Sequence, residues 1–392
     1  MDITYRVDSN IVYIALNGRI DASNAAEAEE KIFAIKAENP GKHTVLDADN
    51  LAYISSAGLR VILRLRKEVP KLAIINVASD VYEVFDMTGF TDMVTVEKAY
   101  QRMSVEGCEF IAKGANGAVY RYDDETIVKT YFAKDALPEI KQERENARRA
   151  FVLGINTAIP YGIVRVGDGY GTVTELLNAT SVTKLIRKDP NDLTLAAKYY
   201  IDMLKNIHSI TVEDGEVPDM KETALAWADF VSAHIPEAQG KKLRALIEAV
   251  PKRNTLMHGD YHTNNIMVQN GEPLLIDMDT LCMGHPVFEL GSMFNAFVGY
   301  SELNHQNMMD FFGYSFETAG KFWDIALKMY LGTEDEALCQ SVAEKAMIIG
   351  YTRMLRRAIR RPHEAESPAK IARCKEMLAM LLEKTDSIYF EC

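Results

Sequence analysis

The chain has 392 residues, with 44 Lys and Arg against 56 Asp and Glu, a formal net charge of −12. A composition that is 48% hydrophobic and 26% charged excludes disordered, collagen-like and mucin-like classes, and the length supports more than one globular core. The acidic balance opposes a dedicated nucleic-acid binder, and five scattered cysteines, Cys108, Cys282, Cys339, Cys374 and Cys392, lack CxxC or Cys/His metal spacing and fit a reducing compartment.

Asp2, Arg6 and Asp8 interrupt the first residues where a secretory leader needs an apolar run. No segment reaches the roughly 18 apolar residues of a membrane span. A soluble cytoplasmic protein is therefore expected, with neither nucleic acid nor membrane as a partner.

In chain order, residues 3–16 give two short β-rich runs about the turn signal Asp8-Ser9-Asn10. Asp21-Ala22-Ser23 opens an Ala/Glu-rich helix that ends near Asn39-Pro40-Gly41. A strand at 44–46 leads to Tyr53-Ile54-Ser55-Ser56, and helical spacing follows at Leu59, Ile62, Leu63 and Leu65. A buried strand at 72–77, a helix at 81–87 and a closing run at 93–96 complete an alternating β/α unit.

The run from Asp47 through Tyr53-Ile54-Ser55-Ser56-Ala57-Gly58-Leu59-Arg60-Val61-Ile62-Leu63 resembles the signature of STAS domains, the anti-sigma-factor-antagonist family, over residues 1–98. The resemblance implies a protein partner, and makes Ser56 the counterpart of a serine phosphorylated in partner-switching members. Ser55 stands where those members usually carry Asp. A strand-to-helix junction presents free amides and the positive end of a helix dipole, which suits a phosphate. The competing reading is a simple N-cap at Ser55 or Ser56, worth about 1 kcal/mol.

Residues 99–106 lose clear periodicity and are expected to link this unit to a second one. Strand-like residues then flank Gly114-Ala115-Asn116-Gly117, and the next strand carries Lys129 between apolar neighbours. A glycine turn lets amides approach phosphate oxygens, and a strand lysine supplies a point charge for them. The helix expected over 137–153 places Glu143 on the same face as Ile140, Ala147, Ala150 and Phe151. A carboxylate on an apolar face needs a cation, which Lys129 provides; Glu139 and Glu145 are rival partners. Strands at 159–166 and 171–177 follow, and the exposed backbone around Glu175 and Leu177 is placed to meet an adenine ring where two lobes join.

The sharpest signal is His258-Gly259-Asp260-Tyr261-His262-Thr263-Asn264-Asn265, followed by an apolar run, Asn270-Gly271 and a second apolar run ending in Ile276-Asp277. Asn-Gly between apolar runs marks a two-residue hairpin turn. Counting outward, Gln269 faces Glu272 and Asn265 faces Ile276, beside Asp277. An amide oxygen and a carboxylate so placed, with phosphate oxygens and water, suit Mg²⁺. Asp260 can accept or orient a hydroxyl proton as the nucleophile approaches a γ-phosphate, and His258 braces the loop by hydrogen bonding. A zinc site built on His258 and His262 has neither HExxH spacing nor a third ligand.

Residues 106–390 resemble the aminoglycoside phosphotransferase/choline kinase-like family, which has the protein-kinase-like fold. The resemblance makes Asp260 the catalytic carboxylate, Asn265 and Asp277 the magnesium ligands, Lys129 the residue on the ATP phosphates, and Asp279 an aid to the metal site. Gly284-His285-Pro286-Val287-Phe288-Glu289 looks like the family's support for the catalytic loop, with Glu289 where Asp is usual. Residues 287–382 read as mostly helical, with Phe294, Phe297, Tyr300, Phe311, Phe312, Phe322, Trp323 and Tyr330 mainly as core. Arg353, Arg356, Arg357, Arg360 and Arg361 recur at helical spacing and read as a solvated basic face, the rivals being an anionic substrate or the acidic first domain.

The expected architecture is an α/β STAS domain at 1–98, a linker at 99–106, and an α+β two-lobed kinase-like domain. Its β-rich N-lobe spans 107–177 and its helical C-lobe 178–392. The expected function is ATP- and Mg²⁺-dependent transfer of the γ-phosphate to a hydroxyl of a small molecule, aminoglycoside-, choline- or sugar-like. The alternatives are a protein kinase acting on Ser56 or a STAS-like partner, and a nucleotide-binding scaffold without turnover.

Overall fold

Alternating burial along β2 (Ile11–Ile20), with Val12, Ile14, Leu16 and Ile20 inside, sets the first sheet. In the computed structural model, which describes residues 1–114, 116–134 and 136–391, β1 (Asp2–Asp8) pairs antiparallel with β2. Parallel strands β3 (His43–Asp47), β5 (Ala73–Val77) and β6 (Thr95–Lys98) extend the sheet in the order β1-β2-β3-β5-β6, and β4 (Leu51–Ile54) pairs with the far end of β2. Helices α1 (Ala25–Glu38), α2 (Ser56–Glu68) and α3 (Ser79–Met87) close the core through Ile32, Val61, Ile62, Leu65 and Phe85. Ser55 caps α2, accepting from the Gly58 amide at 3.5 Å, whereas Ser56 is the exposed first residue of the helix.

The chain forms two compact units, Met1–Ser104 with Val164–Gly167, and Val105–Ile163 with Asp168–Cys392. Within the first, β7 (Gln101–Met103) runs parallel to Val164–Val166. Part of the segment expected to be linker is therefore a strand, because its partner lies sixty residues downstream and no local periodicity reveals it.

In the second unit, β8 (Glu109–Lys113), β9 (Gly117–Arg121), β10 (Thr126–Tyr131), the residues 160–163 that open β11 (Pro160–Val166), and β12 (Gly169–Glu175) lie in the order β11-β12-β10-β9-β8. Helix α4 (Leu137–Val152) is inserted after β10. Gly117 is required where it stands, since a Cβ there would lie 2.1 Å from the Thr130 carbonyl oxygen. Ala115 of the preceding turn and Cys392 lie outside the described residues; the other four cysteines are free.

The helical part begins with β13 (Thr180–Ser181) and α5 (Val182–Lys188), then α6 (Thr194–His208), α7 (Met220–Ser232) and α8 (Glu237–Glu248). Short strands β14 (Leu256–Met257), β15 (Ile266–Gln269), β16 (Glu272–Leu275) and β17 (Cys282–Met283) carry the polar loops, and α9 (Val287–Phe294), α10 (Gln306–Phe312), α11 (Phe316–Leu331), α12 (Glu336–Arg360) and α13 (Ser367–Lys384) follow. Tyr200, Phe297, Phe322 and Tyr351 are fully buried at their centre, each contributing roughly 1.5–3 kcal/mol by burial. Phe311, read as core, is 59% exposed. Among the described residues no helix is long and apolar enough to cross a membrane.

Candidate active site

The polar groups converge on loops because the hairpin folds as its turn dictates. Asn270 and Gly271 both take positive φ, 54° and 82°, the pair of values a type I′ turn demands. The register then runs from Gln269↔Glu272 to Ile266↔Leu275, and the Ile276 amide donates to the Asn265 carbonyl at 2.9 Å. Asn265 thus sits opposite Ile276 and beside Asp277. Asp277 itself is left-handed, at φ 66° and ψ 70°, turning the chain directly after the strand.

Lys129 on β10 reaches this end from the sheet. Its Nζ lies 2.7 Å from Glu143 Oε1 and 4.0 Å from Asp277 Oδ1. The Tyr131 hydroxyl donates to the other Glu143 oxygen at 2.8 Å. Burial alone would lower the Lys129 pKa, but the negative field of Glu143, then Tyr131 and Asp277, overcomes it and the net shift is upward. Helix α4 holds the same region by a second contact: buried Asn146 donates through Nδ2 to the Met278 carbonyl at 3.0 Å. Asp279 keeps surface exposure, yet loss of water around its carboxyl, with Asp277 and Glu143 nearby, raises its pKa to about 6.

The His258–Asn265 loop is braced from below. His258 is fully buried; its Nδ1 accepts from the Asp260 amide at 3.2 Å and its Nε2 faces the Ile276 carbonyl at 3.1 Å, so Nε2 carries the proton. Both ring nitrogens are thereby occupied, and the ring is tied to the Asp260 amide and the Ile276 carbonyl. Glu289 takes the bracing place despite its extra methylene: its carboxylate accepts from the His258 amide at 2.6 Å and the Gly259 amide at 3.0 Å. Burial raises the Glu289 pKa, opposed by His258 and by those two amides. Gly259 combines φ 82° with a Cβ position 2.5 Å from the Thr280 carbonyl oxygen, so only glycine passes here. Tyr261 locks the loop to α6 by a reciprocal pair of bonds, Tyr261 hydroxyl to the Tyr200 carbonyl at 2.6 Å and Tyr200 hydroxyl to the Tyr261 carbonyl at 3.0 Å.

The Asp260 side chain remains half exposed at 49%. Asn265 Nδ2 donates to its carbonyl at 3.1 Å, which leaves the Asn265 amide oxygen without a hydrogen-bond partner among the described residues. A cleft of about 470 Å³ opens over Asp260, walled by Ser292, Tyr300, Phe312, Arg353 and Arg357. His262 Nε2 approaches Asp260 to 3.7 Å, and burial lowers the His262 pKa against the opposing pull of that carboxylate. Among the described residues no group of three or more His, Cys, Asp or Glu could hold a metal.

Of the other predicted residues, Gly114 donates to the Gly117 carbonyl at 2.9 Å and the Asn116 carbonyl accepts from Phe132 at 3.0 Å, so both stand in the β8–β9 turn. The Glu175 carboxylate accepts from the Ile159 amide at 3.3 Å. Leu177 lies in the irregular stretch after β12, where its amide and carbonyl have no hydrogen-bond partner among the described residues. Ser56 belongs to the first unit and is not part of this constellation.

Arg353 corrects the expectation of a wholly solvated basic face. Its Nη1 donates to the Gly259 carbonyl at 3.1 Å and to Ser292 Oγ at 3.0 Å, and its Nη2 stands 3.9 Å from Asp260 Oδ1. Arg357, Arg360 and Arg361 do remain exposed. In the structure Arg353 sits in the helix interior between buried Thr352 and Met354, where an arginine needs a partner, and helical spacing alone did not separate it from its neighbours. Asn146 did carry a readable signal, since it lies three residues beyond Glu143 on the apolar face of α4.

A sequence model of the phosphotransferase enzyme family (APH) matches residues 107–319, more than half of the chain. The chain belongs to the phosphotransferase enzyme family. A STAS model matches residues 2–103, so the phosphotransferase carries a STAS domain ahead of its kinase-like fold. Over 100 residues, 24% of this chain, it is 32% identical to a Bordetella bronchiseptica protein named as a candidate anti-sigma factor antagonist, BtrV, and covers 85% of it. Among solved structures, the ADP-bound aminoglycoside phosphotransferase APH(2'')-Ib is 14% identical, matched over 70% of this chain and 93% of that one with a TM-score of 0.47. A choline/ethanolamine kinase family protein from Mesorhizobium loti is 12% identical, over 70% and 91%, with a TM-score of 0.49. The segment that places the phosphotransferase in its family contains Lys129, Glu143, Asp260, Asn265 and Asp277 and stops short of Arg353.

Proposed function

We propose that this phosphotransferase moves the γ-phosphate of ATP, with Mg²⁺, to a hydroxyl of a small molecule, and that its STAS domain serves regulation or docking of a protein partner. The observation that carries the reading is the half-exposed Asp260 carboxylate on the wall of the 470 Å³ cleft, on a loop tied to Asn265 and hence to Asp277 and Lys129.

The donor set fits a divalent ion that arrives with a nucleotide. Asn265 offers an amide oxygen without a partner and Asp277 a carboxylate 47% exposed, two hard ligands that leave further positions to phosphate oxygens and water. When bound, Mg²⁺ would neutralise charge on the transferring phosphoryl group. Lys129, held charged and in place by Glu143, would bind phosphate oxygens, and the β8–β9 turn would cover them. The unpaired backbone at Leu177 would meet the adenine. Asp260 would accept the hydroxyl proton as the acceptor oxygen bonds to phosphorus and the bond to the ADP oxygen breaks, ADP leaving with that electron pair. His258, Glu289 and Arg353 hold the loop that presents Asp260. Aminoglycosides and choline are substrates suggested by the names of structural neighbours, while the partner suggested by the STAS relative is an anti-sigma factor.

Incubation of the full chain with γ-labelled ATP, Mg²⁺ and a panel of amino sugars, amino alcohols, sugars and hydroxy acids tests the reading. Label on a small hydroxyl compound, dependent on Asp260, is the expected result. Label confined to Ser56 or to a protein partner would replace it with a protein kinase, and binding of ATP with no transfer would replace it with a scaffold.

A further inference from the structure

The cleft above Asp260 has a charge pattern that selects its occupant. Arg353, Arg357 and Lys370 line it against Asp260 and Glu364. Lys370 is already paired with Glu366 at 2.6 Å, and Glu364 with Arg361 at 3.1 Å. Arg353 spends Nη1 on the Gly259 carbonyl and Ser292. That leaves Arg357, which makes no ion pair among the described residues and lies over the Tyr300 ring at 5.6 Å. Asp260 is held only at longer range, by Arg353 Nη2 at 3.9 Å and His262 Nε2 at 3.7 Å, and the proposed reaction uses it on the hydroxyl.

A cationic acceptor would find two guanidinium groups and no spare carboxylate, which makes the cleft repulsive to it. An anionic one would find Arg357 and the Nη2 edge of Arg353, which makes only the 3.9 Å approach to Asp260. The two residues stand one turn apart on the same face of α12, and a guanidinium fork matches carboxylate or phosphate oxygens. Tyr300 and Phe312 supply an apolar wall for the carbon frame, in a volume that suits a metabolite.

Resting on the phosphotransfer reading, we infer that the acceptor is an anionic hydroxyl compound, its carboxylate or phosphate held by Arg357 with Arg353 while its hydroxyl faces Asp260. The chemistry is that of an oxyanion, whichever of the two groups provides it.

Three matched three-carbon probes, glycerate, glycerol 3-phosphate and glycerol, with choline added as the cation, test this on the full chain by calorimetric titration. At least one of the two anions is expected to bind tenfold or more tightly than glycerol and choline. A better fit of glycerol 3-phosphate would assign a phosphate, and a better fit of glycerate a carboxylate. Arg357→Gln, at an exposed position, should remove the preference without moving the melting temperature, Arg357→Lys should keep part of it, and Lys129→Met, which deletes the cation of the nucleotide region, should leave it intact. Choline or glycerol binding as tightly as the anions, no measurable anion binding, or an undiminished preference in Arg357→Gln would overturn the inference. ADP formation separates the two levels. Asp260-dependent turnover stimulated by choline but not by either anion would sink the anionic acceptor and leave phosphotransfer standing. Anion preference without any Asp260-dependent turnover would do the reverse.

Discussion

Burial by itself discharges a lysine, and Lys129 stays charged because Glu143 lies 2.7 Å away with Tyr131 holding its other oxygen. Replacing that carboxylate by an amide keeps the shape and deletes the field. Glu143→Gln should therefore weaken Mg²⁺-ATP binding about tenfold, in line with the roughly 1.5–3 kcal/mol of a charged hydrogen bond. Titration calorimetry on folded protein measures it, and unchanged affinity would remove Glu143 from the site. The pairing was legible beforehand because a carboxylate among Ile140, Ala147 and Ala150 has to find a cation, and Lys129 sits on the preceding strand. Arg353 was not, because its partners Gly259 and Ser292 lie 94 and 61 residues away and helical spacing describes a side chain's direction, not what packs there.

At the scale of elements, the hairpin and the loop before it were the most readable part of the chain. Asn270-Gly271 fixes a turn type, a turn type fixes a register, and the register places Asn265 beside Asp277. The brace beneath was less readable, since Glu289 stands where the family resemblance expects Asp and its longer arm collects two amides only once the chain has folded. Glu289→Gln would turn an NH₂ group toward at least one of those donors. The expected cost is about 1–3 kcal/mol from the unsatisfied buried amide, seen as a lower denaturation midpoint together with slower turnover at unchanged ATP affinity. Equal stability and turnover would show that the loop does not need the carboxylate. Strand β7 marks the opposite limit of legibility: three residues that pair with a distant segment carry no signal of their own.

Across the whole molecule, acid should act through two buried histidines of the helical part. Burial, reinforced by Arg253 and Lys345, lowers the His285 pKa to about 4, against the bond from its Nε2 to the Phe390 carbonyl. Burial and His285 lower that of His208 to about 3. Both folded values lie below the roughly 6.5 of an unfolded histidine, so the unfolded chain binds more protons as pH drops. The stability they support is complete above about pH 6.5 and is lost as pH falls toward 4. The melting temperature should decline over that window, and the double variant His208→Gln/His285→Gln should show a flatter profile, though a lower melting temperature at pH 7. Parallel profiles would place the acid sensitivity elsewhere. The alternating β/α first part and the sheet-then-helices second part could be read from periodicity, whereas the interleaving of residues 164–167 with the first unit depends on pairing between remote segments.

The direct test of the central claim is single-turnover phosphate transfer by Asp260→Asn, followed by phosphorus NMR alongside the nucleotide dissociation constant. Appearance of the new phosphate ester should slow by about 10²–10⁴-fold while ATP affinity stays within threefold of the parent chain. Transfer at the parent rate would contradict it.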